Sequence, residues 1–276
     1  MLERIFFSTS VYALAHQIGM AQAIQEVERQ IEAPDRNSLP VVRTLHRFRQ
    51  LGEVGRLIDG GATYIGMARS RAFHDAYEQM KVDPNMGAWV TVDDDIEVST
   101  PTCAAMLEAL DDIVPRIVLV PYMIRAPVGV VALADGVPQL TSRLAVTLPA
   151  VFQERVVRGS AVVAKRELQF DGRLVRLPFR QGGGFGMVGI NRIAMREIVE
   201  YAQTFAELRW LDGDGVQKLA LFYERLEDGL WYGEDTSFFR FRVPASVSVE
   251  ALLCGRIVHA GLDLDLDQLG ELKTTV

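Results

Sequence analysis

The chain has 276 residues, of which 49% are hydrophobic and 24% are charged, and its formal net charge is −7. This composition is typical of a globular protein with a large core, and the negative charge argues against a dedicated nucleic-acid-binding protein. The two cysteines, Cys103 and Cys254, exclude a disulfide framework and are expected to be reduced. No apolar run reaches transmembrane length and no secretory signal is visible, so we expect a cytoplasmic protein that does not span a membrane.

The first 120 residues alternate between predicted strands and predicted helices. The predicted strands cover residues 4–7, 41–42, 88–92 and 116–120, and the predicted helices cover residues 14–31, 66–80 and 100–112. Such alternation predicts a mostly parallel sheet covered by helices, and such sheets bind ligands at the carboxyl ends of their strands. The polar turn Ser8-Thr9-Ser10 and the acidic segment Asp93-Asp94-Asp95 both lie at such ends.

The pattern changes in the second half of the chain. Residues 126–180 are rich in Val, Gly, Pro and Arg with weak periodicity, which indicates short strands and loops, with one helix near residues 148–157. Further helices are predicted over residues 191–205 and 215–226 and from residue 233 to a point before Pro244, and a strand over residues 252–258 ends at His259.

Asp93-Asp94-Asp95 is the most informative chemical feature of the sequence. It closes an apolar run, Ala88 to Val92, that is typical of a buried strand. Adjacent carboxylates repel each other and resist burial, and Mg²⁺ or Mn²⁺ relieves that cost through oxygen ligands and a bound phosphate. Alternation along an extended backbone places Asp93 and Asp95 on one side. The alternative is a solvated acidic turn that caps the next helix.

Four segments, in order, resemble motifs of nucleotide-sugar-dependent glycosyltransferases of the GT-A fold, close to the family-2-like group. They are Ala68-Arg69-Ser70-Arg71-Ala72, Val92-Asp93-Asp94-Asp95-Ile96, Gly183-Gly184-Phe185-Gly186-Met187 with Asn191-Arg192, and Gly233-Glu234-Asp235-Thr236-Ser237-Phe238-Phe239. The resemblance implies a single α/β catalytic domain with a Rossmann-like, mostly parallel sheet flanked by helices and a smaller mixed region on the acceptor side. Residues 1–122 would bind the nucleotide sugar and residues 123–276 would face the acceptor.

The resemblance also implies a metal site for Mn²⁺ or Mg²⁺ that contains Asp93, Asp95 and His259. Asp95 corresponds to the direct ligand, whereas Asp93 more often reaches the ribose or a metal-bound water. His259 corresponds to a histidine that follows the last motif, and a neutral imidazole completes such a site if its other nitrogen is held by an acceptor. The alternative for His259 is an ordinary core or surface histidine.

The same resemblance assigns catalytic roles to Asp235 and Glu234. Inverting transfer needs a base for the acceptor hydroxyl, and Asp235 corresponds to that base, with Glu234 orienting the acceptor or supporting Asp235. In a retaining enzyme, Asp235 would stabilise the sugar or bind the acceptor. The alternative is that both acids favour the first turn of a helix, where the macrodipole stabilises negative charge.

The donor-binding residues that the resemblance implies lie in four segments. They are Ser8, Thr9, Arg69, Asp93, Asp94, Gly183 and Gly184. Arg69 would bind the diphosphate through its planar guanidinium, and Ser70 departs from the asparagine of the family pattern. The alternative for Ser8 and Thr9 is a polar turn without a ligand.

The function expected from this resemblance is metal-dependent transfer of a sugar from a UDP- or GDP-linked donor to an acceptor hydroxyl. The acceptor class stays open among saccharide, lipid, protein and modified DNA base. A nucleotidyltransferase is an alternative, although residues 8–12 lack the basic phosphate loop of such enzymes. An inactive nucleotide-sugar-binding module is another alternative.

A basic region, Arg43, Arg47, Arg49 and Arg56, is interpreted either as a solvated face or as a contact for an anionic acceptor.

Overall fold

Six helices and nineteen strands occur in the part of the chain that the computed structural model describes. That part comprises residues 2, 4–11, 14, 17–59, 64–132, 138–146, 154–157, 160–163, 170–171, 173–177, 179–205, 208–211, 215–227 and 229–267. The helices are α1 (Met20–Glu32), α2 (Pro40–Leu51), α3 (Ile65–Val82), α4 (Thr100–Leu110), α5 (Arg192–Ala202) and α6 (Glu234–Phe241).

Eight of the strands form the central sheet, and the others form small sheets around it. The central strands are β1 (Arg4–Ser10), β2 (Glu53–Asp59), β3 (Met86–Val92), β5 (Arg116–Leu119), β10 (Phe170–Asp171), β11 (Leu174–Arg176), β12 (Met187–Asn191) and β17 (Ser248–Leu252). The peripheral strands are β4 (Ile96–Val98), β6 (Met123–Ala132), β7 (Pro138–Val146), β8 (Glu154–Val157), β9 (Ser160–Val163), β13 (Arg209–Leu211), β14 (Gln217–Leu219), β15 (Arg225–Glu227), β16 (Leu230–Tyr232), β18 (Arg256–His259) and β19 (Leu262–Asp265).

The order of the central strands is β10-β11-β17-β5-β12-β3-β1-β2. Six of these strands run in one direction, and β11 and β12 run in the opposite direction. The structure therefore confirms a mixed α/β fold with a Rossmann-like sheet whose strands mostly share one direction. The antiparallel β12 was not predicted, and it begins at the edge where its neighbours β3 and β5 end.

Two layers of helices cover the sheet. Helices α1, α2 and α4 pack on one face with the Ile5 and Phe7 side chains of β1, and α3, α5 and α6 pack on the other face with Phe6. This division follows from the strand geometry, because successive side chains point to opposite faces. Both faces of β1 and β3 are buried, which accounts for the continuous apolar sequence of those strands.

Three secondary-structure predictions were wrong in type. Val41-Val42 belongs to α2 rather than to a strand, because Pro40 begins a helix whose buried face continues through Leu45 and Phe48. Residues 215–226 are not helical, since β14 pairs with β13 and β15 pairs with β16 in two antiparallel hairpins. Gly215 and Gly229 adopt positive φ angles of 77° and 74°, which suit hairpin turns and not a helix.

Other predictions were right in type but wrong in extent. Residues 8–10 continue β1 instead of forming a turn, and the first long helix begins at Met20. The strand predicted over residues 252–258 is two strands, separated at Gly255, where φ is 78° and a Cβ would lie 2.5 Å from Ser99 Oγ. The third prediction of the wrong type is the helix near residues 148–157, because residues 154–157 are β-strand; residues 148–153 lie outside the described part.

Among the described residues, no helix has the length and apolar character needed to cross a membrane. Both cysteines are buried free thiols. Burial raises the pKa of the Cys103 thiol to about 12, so this side chain behaves as a neutral core residue.

Candidate functional site

The acidic segment lies where β3 ends, facing the glycine-rich segment that precedes β12. Val92 pairs with Met187, and the Asp93 backbone N–H donates a 2.8 Å hydrogen bond to the Gly186 carbonyl oxygen. The Ile96 N–H donates to the Asp93 carbonyl at 3.1 Å, which closes a tight turn over residues 93–96. Two of the four sequence segments are thus held together by backbone hydrogen bonds.

Arg69 joins the acidic segment to the start of α6. Its side chain, 6% exposed, extends from α3, and Nη2 donates to Asp93 Oδ1 at 3.1 Å. Nη1 donates to Glu234 Oε1 at 3.1 Å and also donates to Asp235 Oδ1. The guanidinium carbon lies 5.2 Å from the centroid of the Phe185 ring. One buried cation therefore contacts three carboxylates from two distant segments.

The electrostatic balance of this cluster keeps Arg69 charged. Burial alone would lower the pKa of Arg69, but the carboxylates of Asp235, Asp93 and Glu234 outweigh it and raise that pKa. The guanidinium donates to these acids, so the structure assigns Arg69 to the organisation of the acidic cluster. A diphosphate bound by Arg69, as predicted, would compete with these carboxylates for the same guanidinium.

Asp235 occupies the first turn of α6 and has an unusually high pKa. Burial raises this pKa to about 6, with Arg69 opposing the shift and with Glu234 and Asp93 adding to it. The Phe185 N–H donates a 3.1 Å hydrogen bond to Oδ2, which favours the ionised form. A carboxylate with a pKa near 6 accepts a proton effectively near neutral pH.

Burial also raises the pKa of Asp93, against the attraction of Arg69. Asp93 and Asp235 therefore share one cation and compete for its stabilisation. Such strong perturbation of neighbouring acids by burial and a specific partner is typical of functional sites.

His259 lies beside Asp95 at the same end of the sheet. Its Nδ1 is 2.8 Å from the Met123 carbonyl oxygen, and its Nε2 is 3.3 Å from Asp95 Oδ2. A carbonyl oxygen only accepts hydrogen bonds, so Nδ1 donates and a neutral ring presents the Nε2 lone pair to a carboxylate. Two acceptors face each other unless a proton or a cation lies between them. The hydrogen bond to Asp95 raises the pKa of His259, with burial opposing it.

The donor atoms at this position suit a hard divalent cation. Carboxylate oxygens are the ligands that Mg²⁺ and Mn²⁺ prefer, and a histidine fixed through Nδ1 presents Nε2 for coordination. Within the described residues, no group of three or more His, Cys, Asp or Glu side chains is already arranged as a metal site. Of the predicted metal set, the structure brings Asp95 and His259 into contact, whereas Asp93 is directed toward Arg69.

Tyr122 is a residue of this site that the sequence reasoning missed. It follows β5, packs edge-on against the His259 ring with the centroids 4.7 Å apart, and is buried. A Cβ on Gly184 would lie 2.3 Å from the Tyr122 hydroxyl oxygen, and one on Gly186 would lie 2.6 Å from its ring. The glycines thus allow Tyr122 to approach the backbone closely. Its position just beyond a predicted strand end was the available signal.

Of the remaining predicted donor-binding residues, two lie in the site and two lie inside β1. Gly183 and Asp94 are half-buried within the two segments already described. Ser8 and Thr9, at 1% and 4% exposure, lie inside β1 instead of in a terminal turn. The Ser8 hydroxyl accepts a 2.8 Å hydrogen bond from Trp89 Nε1. Ser8 therefore has a structural partner, and the predicted polar turn is corrected.

Two other features of the predicted motifs have structural roles. Asn191 caps α5 by accepting from the Ala194 N–H at 2.9 Å and pairs with Ala88, at the opposite end of β3 from the acids. Arg192 donates to backbone carbonyls of residues 80–86. These contacts account for both side chains without a ligand.

The basic region and Arg71 are also partly explained by internal contacts. Arg43 and Arg47 each donate to Glu97 at 2.6 Å, linking α2 to β4. The Arg71 guanidinium lies 5.7 Å from the Trp210 ring. Part of the predicted basic region thus stabilises the fold.

Comparison with known proteins gives a weak likeness among solved structures. No protein-family model matches the chain, and no curated protein matches it. Among solved structures, the chain is similar to "Crystal Structure of A197 from STIV", with 12% sequence identity and a TM-score of 0.44. The match covers 93% of this chain and 85% of that chain.

Proposed function

We propose that this protein is a metal-dependent glycosyltransferase of the GT-A type, which transfers a sugar from a nucleoside diphosphate sugar to an acceptor hydroxyl. The observation that carries the proposal is the bridge from Arg69 to Asp93 and Asp235. It joins the acidic segment at the end of β3, which would hold the metal-bound diphosphate through Asp95, to an acid suited to proton removal. An inverting transfer needs the first group beside the leaving diphosphate and the second beside the attacking acceptor hydroxyl, on opposite sides of the sugar.

In the proposed reaction, Asp235 removes the proton from the acceptor hydroxyl as its oxygen attacks the anomeric carbon. The raised pKa of about 6 matches that role at neutral pH. Its Oδ2 already accepts from the Phe185 N–H and its Oδ1 from Arg69, which fixes the direction of the carboxylate. Glu234 shares Nη1 of Arg69 and would orient Asp235 or the acceptor.

Asp95 and His259 are the residues that would hold Mn²⁺ or Mg²⁺, with Asp93 nearby for the ribose or a metal-bound water. The bound metal would neutralise negative charge on the leaving diphosphate. Met123 supports this arrangement through its carbonyl, which accepts from His259 Nδ1 and leaves Nε2 available. The absence of a side chain at Gly184 lets Tyr122 lie directly against the glycine-rich segment that would bind the donor.

The test is a thermal-shift and hydrolysis panel of UDP- and GDP-linked sugars with Mn²⁺ and with EDTA. One donor should raise the melting temperature only with Mn²⁺, since ligands that bind the native state stabilise it. Asp95→Asn should remove that shift, and Asp235→Asn should keep it while abolishing turnover. Glu108→Gln, a change at an exposed residue, is the matched control.

The pattern of results separates the alternatives. Full donor hydrolysis by Asp95→Asn would contradict the metal assignment. A donor shift without turnover on any acceptor would favour the binding module, and nucleotide transfer with release of diphosphate would favour the nucleotidyltransferase.

A further inference from the structure

The hairpin of β15 and β16 carries an exposed apolar pair directly before the helix that begins with Glu234 and Asp235. Leu226 in β15 pairs with Trp231 in β16, and both side chains are 65% exposed. Cross-strand partners lie on the same side of a hairpin, so the two form one small apolar surface, called here the hairpin surface. Apolar surfaces of this kind often mark binding sites.

The opposite side of the hairpin is fixed to α6. Arg225 and Tyr232 form the neighbouring cross-strand pair, and successive strand residues point to opposite sides. The guanidinium carbon of Arg225 lies 4.6 Å from the centroid of the Phe241 ring, and the Tyr232 ring centroid lies 5.4 Å from it. Ser237 Oγ donates to the Tyr232 carbonyl oxygen at 3.3 Å. The hairpin surface therefore faces away from α6 on a well-supported element.

The hairpin surface is also close to the acids of α6 along the chain. Trp231 and Glu234 are three positions apart, so their Cα atoms are separated by at most about 11 Å. Gly233 lies between them as the N-cap of α6, and a Cβ built on it would meet no described atom within 4 Å. A ligand in contact with Trp231 can therefore extend past Gly233 toward Asp235.

A second aromatic residue, Tyr64, connects the hairpin to Glu234. Its hydroxyl oxygen accepts a 3.1 Å hydrogen bond from the Glu224 N–H, just before β15. Burial raises the pKa of Tyr64, the hydrogen bond from Glu224 opposes this, and the charges of Glu224 and Glu234 add to it. This phenol is 37% exposed and lies within electrostatic range of Glu234. Aromatic side chains from two elements are thus associated with the start of α6.

The charge of the hairpin and the area of its surface narrow the class of ligand. The hairpin sequence contains one basic residue, Arg225, and two acids, Glu227 and Asp228, in a chain whose net charge is −7. Anionic membrane surfaces attract basic segments instead. A stable protein interface covers about 800 Å² on each partner, whereas one aromatic side chain buries only about 150–250 Å². A neutral ligand composed of a few rings fits both the charge and the area.

We propose that the hairpin surface binds the acceptor of the transfer reaction, and that this acceptor is a neutral oligosaccharide. The inference rests on the proposed glycosyltransferase function. One face of a sugar ring presents C–H bonds with partial positive charge, which pack on the negative face of the Trp231 indole. Leu226 contacts the edge of the same ring. The sugar unit that reacts lies beside Asp235, and a further unit of the same molecule lies on Trp231.

Intrinsic fluorescence tests binding at this surface, because Trp231 is the most exposed of the three tryptophans. Trp89 is fully buried and Trp210 is half-buried, so acrylamide quenches mainly Trp231. Cellotriose, maltotriose and triacetylchitotriose are titrated into the full chain in EDTA, without a donor. At least one should bind saturably and protect Trp231 from acrylamide. Its affinity should exceed that of its monosaccharide about tenfold, because only the longer molecule reaches both parts of the site.

Two outcomes of the fluorescence experiment would overturn the proposal. One is the absence of protection by all three trisaccharides. The other is equal protection by phosphatidylcholine vesicles, which would identify the hairpin surface as a lipid contact.

Variants then locate the binding by calorimetry. Trp231→Ala should weaken trisaccharide binding at least tenfold, since truncating a central aromatic contact is costly. Trp231→Phe should retain part of the affinity because it keeps an aromatic ring. Ile113→Ala, at a residue that is 88% exposed before β5, is the matched control and should leave the affinity unchanged. Unchanged affinity in Trp231→Ala would contradict the proposed contact.

The donor panel described above separates a failure of this inference from a failure of the proposed function. A donor shift that depends on Mn²⁺, in a protein that binds no trisaccharide, would overturn the oligosaccharide acceptor without contradicting the transferase. Trisaccharide binding at Trp231 without any donor shift would support the hairpin surface as a saccharide site and contradict the transferase.

Discussion

Arg69 in α3 donates a hydrogen bond to Asp235 at the start of α6, although 166 positions separate the two residues in the chain. The same guanidinium contacts Asp93 at the end of β3. Because three acids share this one buried cation, the stability of the site depends on the positive charge of Arg69 and on the ionisation of the acids.

Replacing Arg69 with methionine should strongly destabilise the protein at neutral pH. The change leaves three partly buried carboxylates without their cation, and breaking a buried ion pair costs about 3–5 kcal/mol of unfolding free energy. The pKa values of Asp93 and Asp235, which burial already raises, then lie further above their unfolded values in the folded variant. Protonation of these acids relieves the repulsion between them. The loss of unfolding free energy, measured by chemical denaturation, should therefore be smaller at pH 5 than at pH 7.

The matched control for this prediction is Arg196→Met, an exposed change on α5. It should alter the unfolding free energy by less than about 0.5 kcal/mol. An equal loss at pH 5 and pH 7 in Arg69→Met would show that the lost packing, and not the charge balance, explains the destabilisation.

The proposed transfer should show the titration of Asp235 in its pH dependence. The base acts only when ionised, and the pKa is raised to about 6. The rate under saturating donor should therefore rise about tenfold per pH unit below pH 6 and level off above it. A rate independent of pH between 4.5 and 7 would argue against Asp235 as the base.

Glu97 should make the stability depend on pH in the acidic range. Burial raises the pKa of Glu97, but hydrogen bonds from Arg43 and Arg47 outweigh it and hold the pKa below the ordinary value of 4.5. A depressed pKa in the folded state gives stability that is present above 4.5 and lost as the pH falls through the folded value. Glu97→Gln should cost about 1–2 kcal/mol at pH 7 and less at pH 3, measured by urea denaturation.

The comparison for Glu97 is Glu53→Gln. Glu53 is exposed and 3.7 Å from Arg4, so its replacement should be neutral at both pH values. A cost for Glu97→Gln that stays constant down to pH 3 would contradict the proposed linkage.

Gly184→Ala should destabilise the site by steric conflict. Its Cβ would lie 2.3 Å from the Tyr122 hydroxyl oxygen, and forced overpacking costs about 1–3 kcal/mol. Tyr122→Phe removes the closest atom, so the double variant should recover part of the loss in a double-mutant cycle. Gly55→Ala, with its nearest neighbour at 3.4 Å, should be close to neutral. Strict additivity of the two changes would contradict the proposed contact.

The sequence predicted the fold class well where local and tertiary preferences agree. The apolar run before Asp93 and the helix that carries Arg69 were confirmed as β3 and α3. It failed at Val41-Val42, because two β-branched residues are too few to distinguish a strand from the buried face of a helix. The hairpins β13–β14 and β15–β16 depend on pairing between strands, which single-sequence periodicity does not record.

The site was less predictable than the fold. The grouping of Arg69, Asp93 and Asp235 arises from the placement of α3 and α6 on one face of the sheet, which depends on strand order. Ser8 looked like a surface hydroxyl because nothing in its own segment signals the indole of Trp89, which lies 81 positions away. Tyr122 differs from Ser8, because its own segment did carry a signal. It lies just beyond the end of the strand predicted over residues 116–120, where a parallel sheet binds ligands.

The reversed direction of β12 has a consequence for how this fold can diverge. β5 ends and β12 begins at the same edge, and Leu119 pairs directly with Val188. Between them the chain contains the peripheral strands β6 to β9, and then β10 and β11 at one edge of the central sheet, before it returns to almost the same point. Closing a longer excursion costs little entropy once its ends are fixed. The peripheral part that contains β6 to β9 can therefore be exchanged or lengthened during evolution while the acids at the end of β3 keep their support.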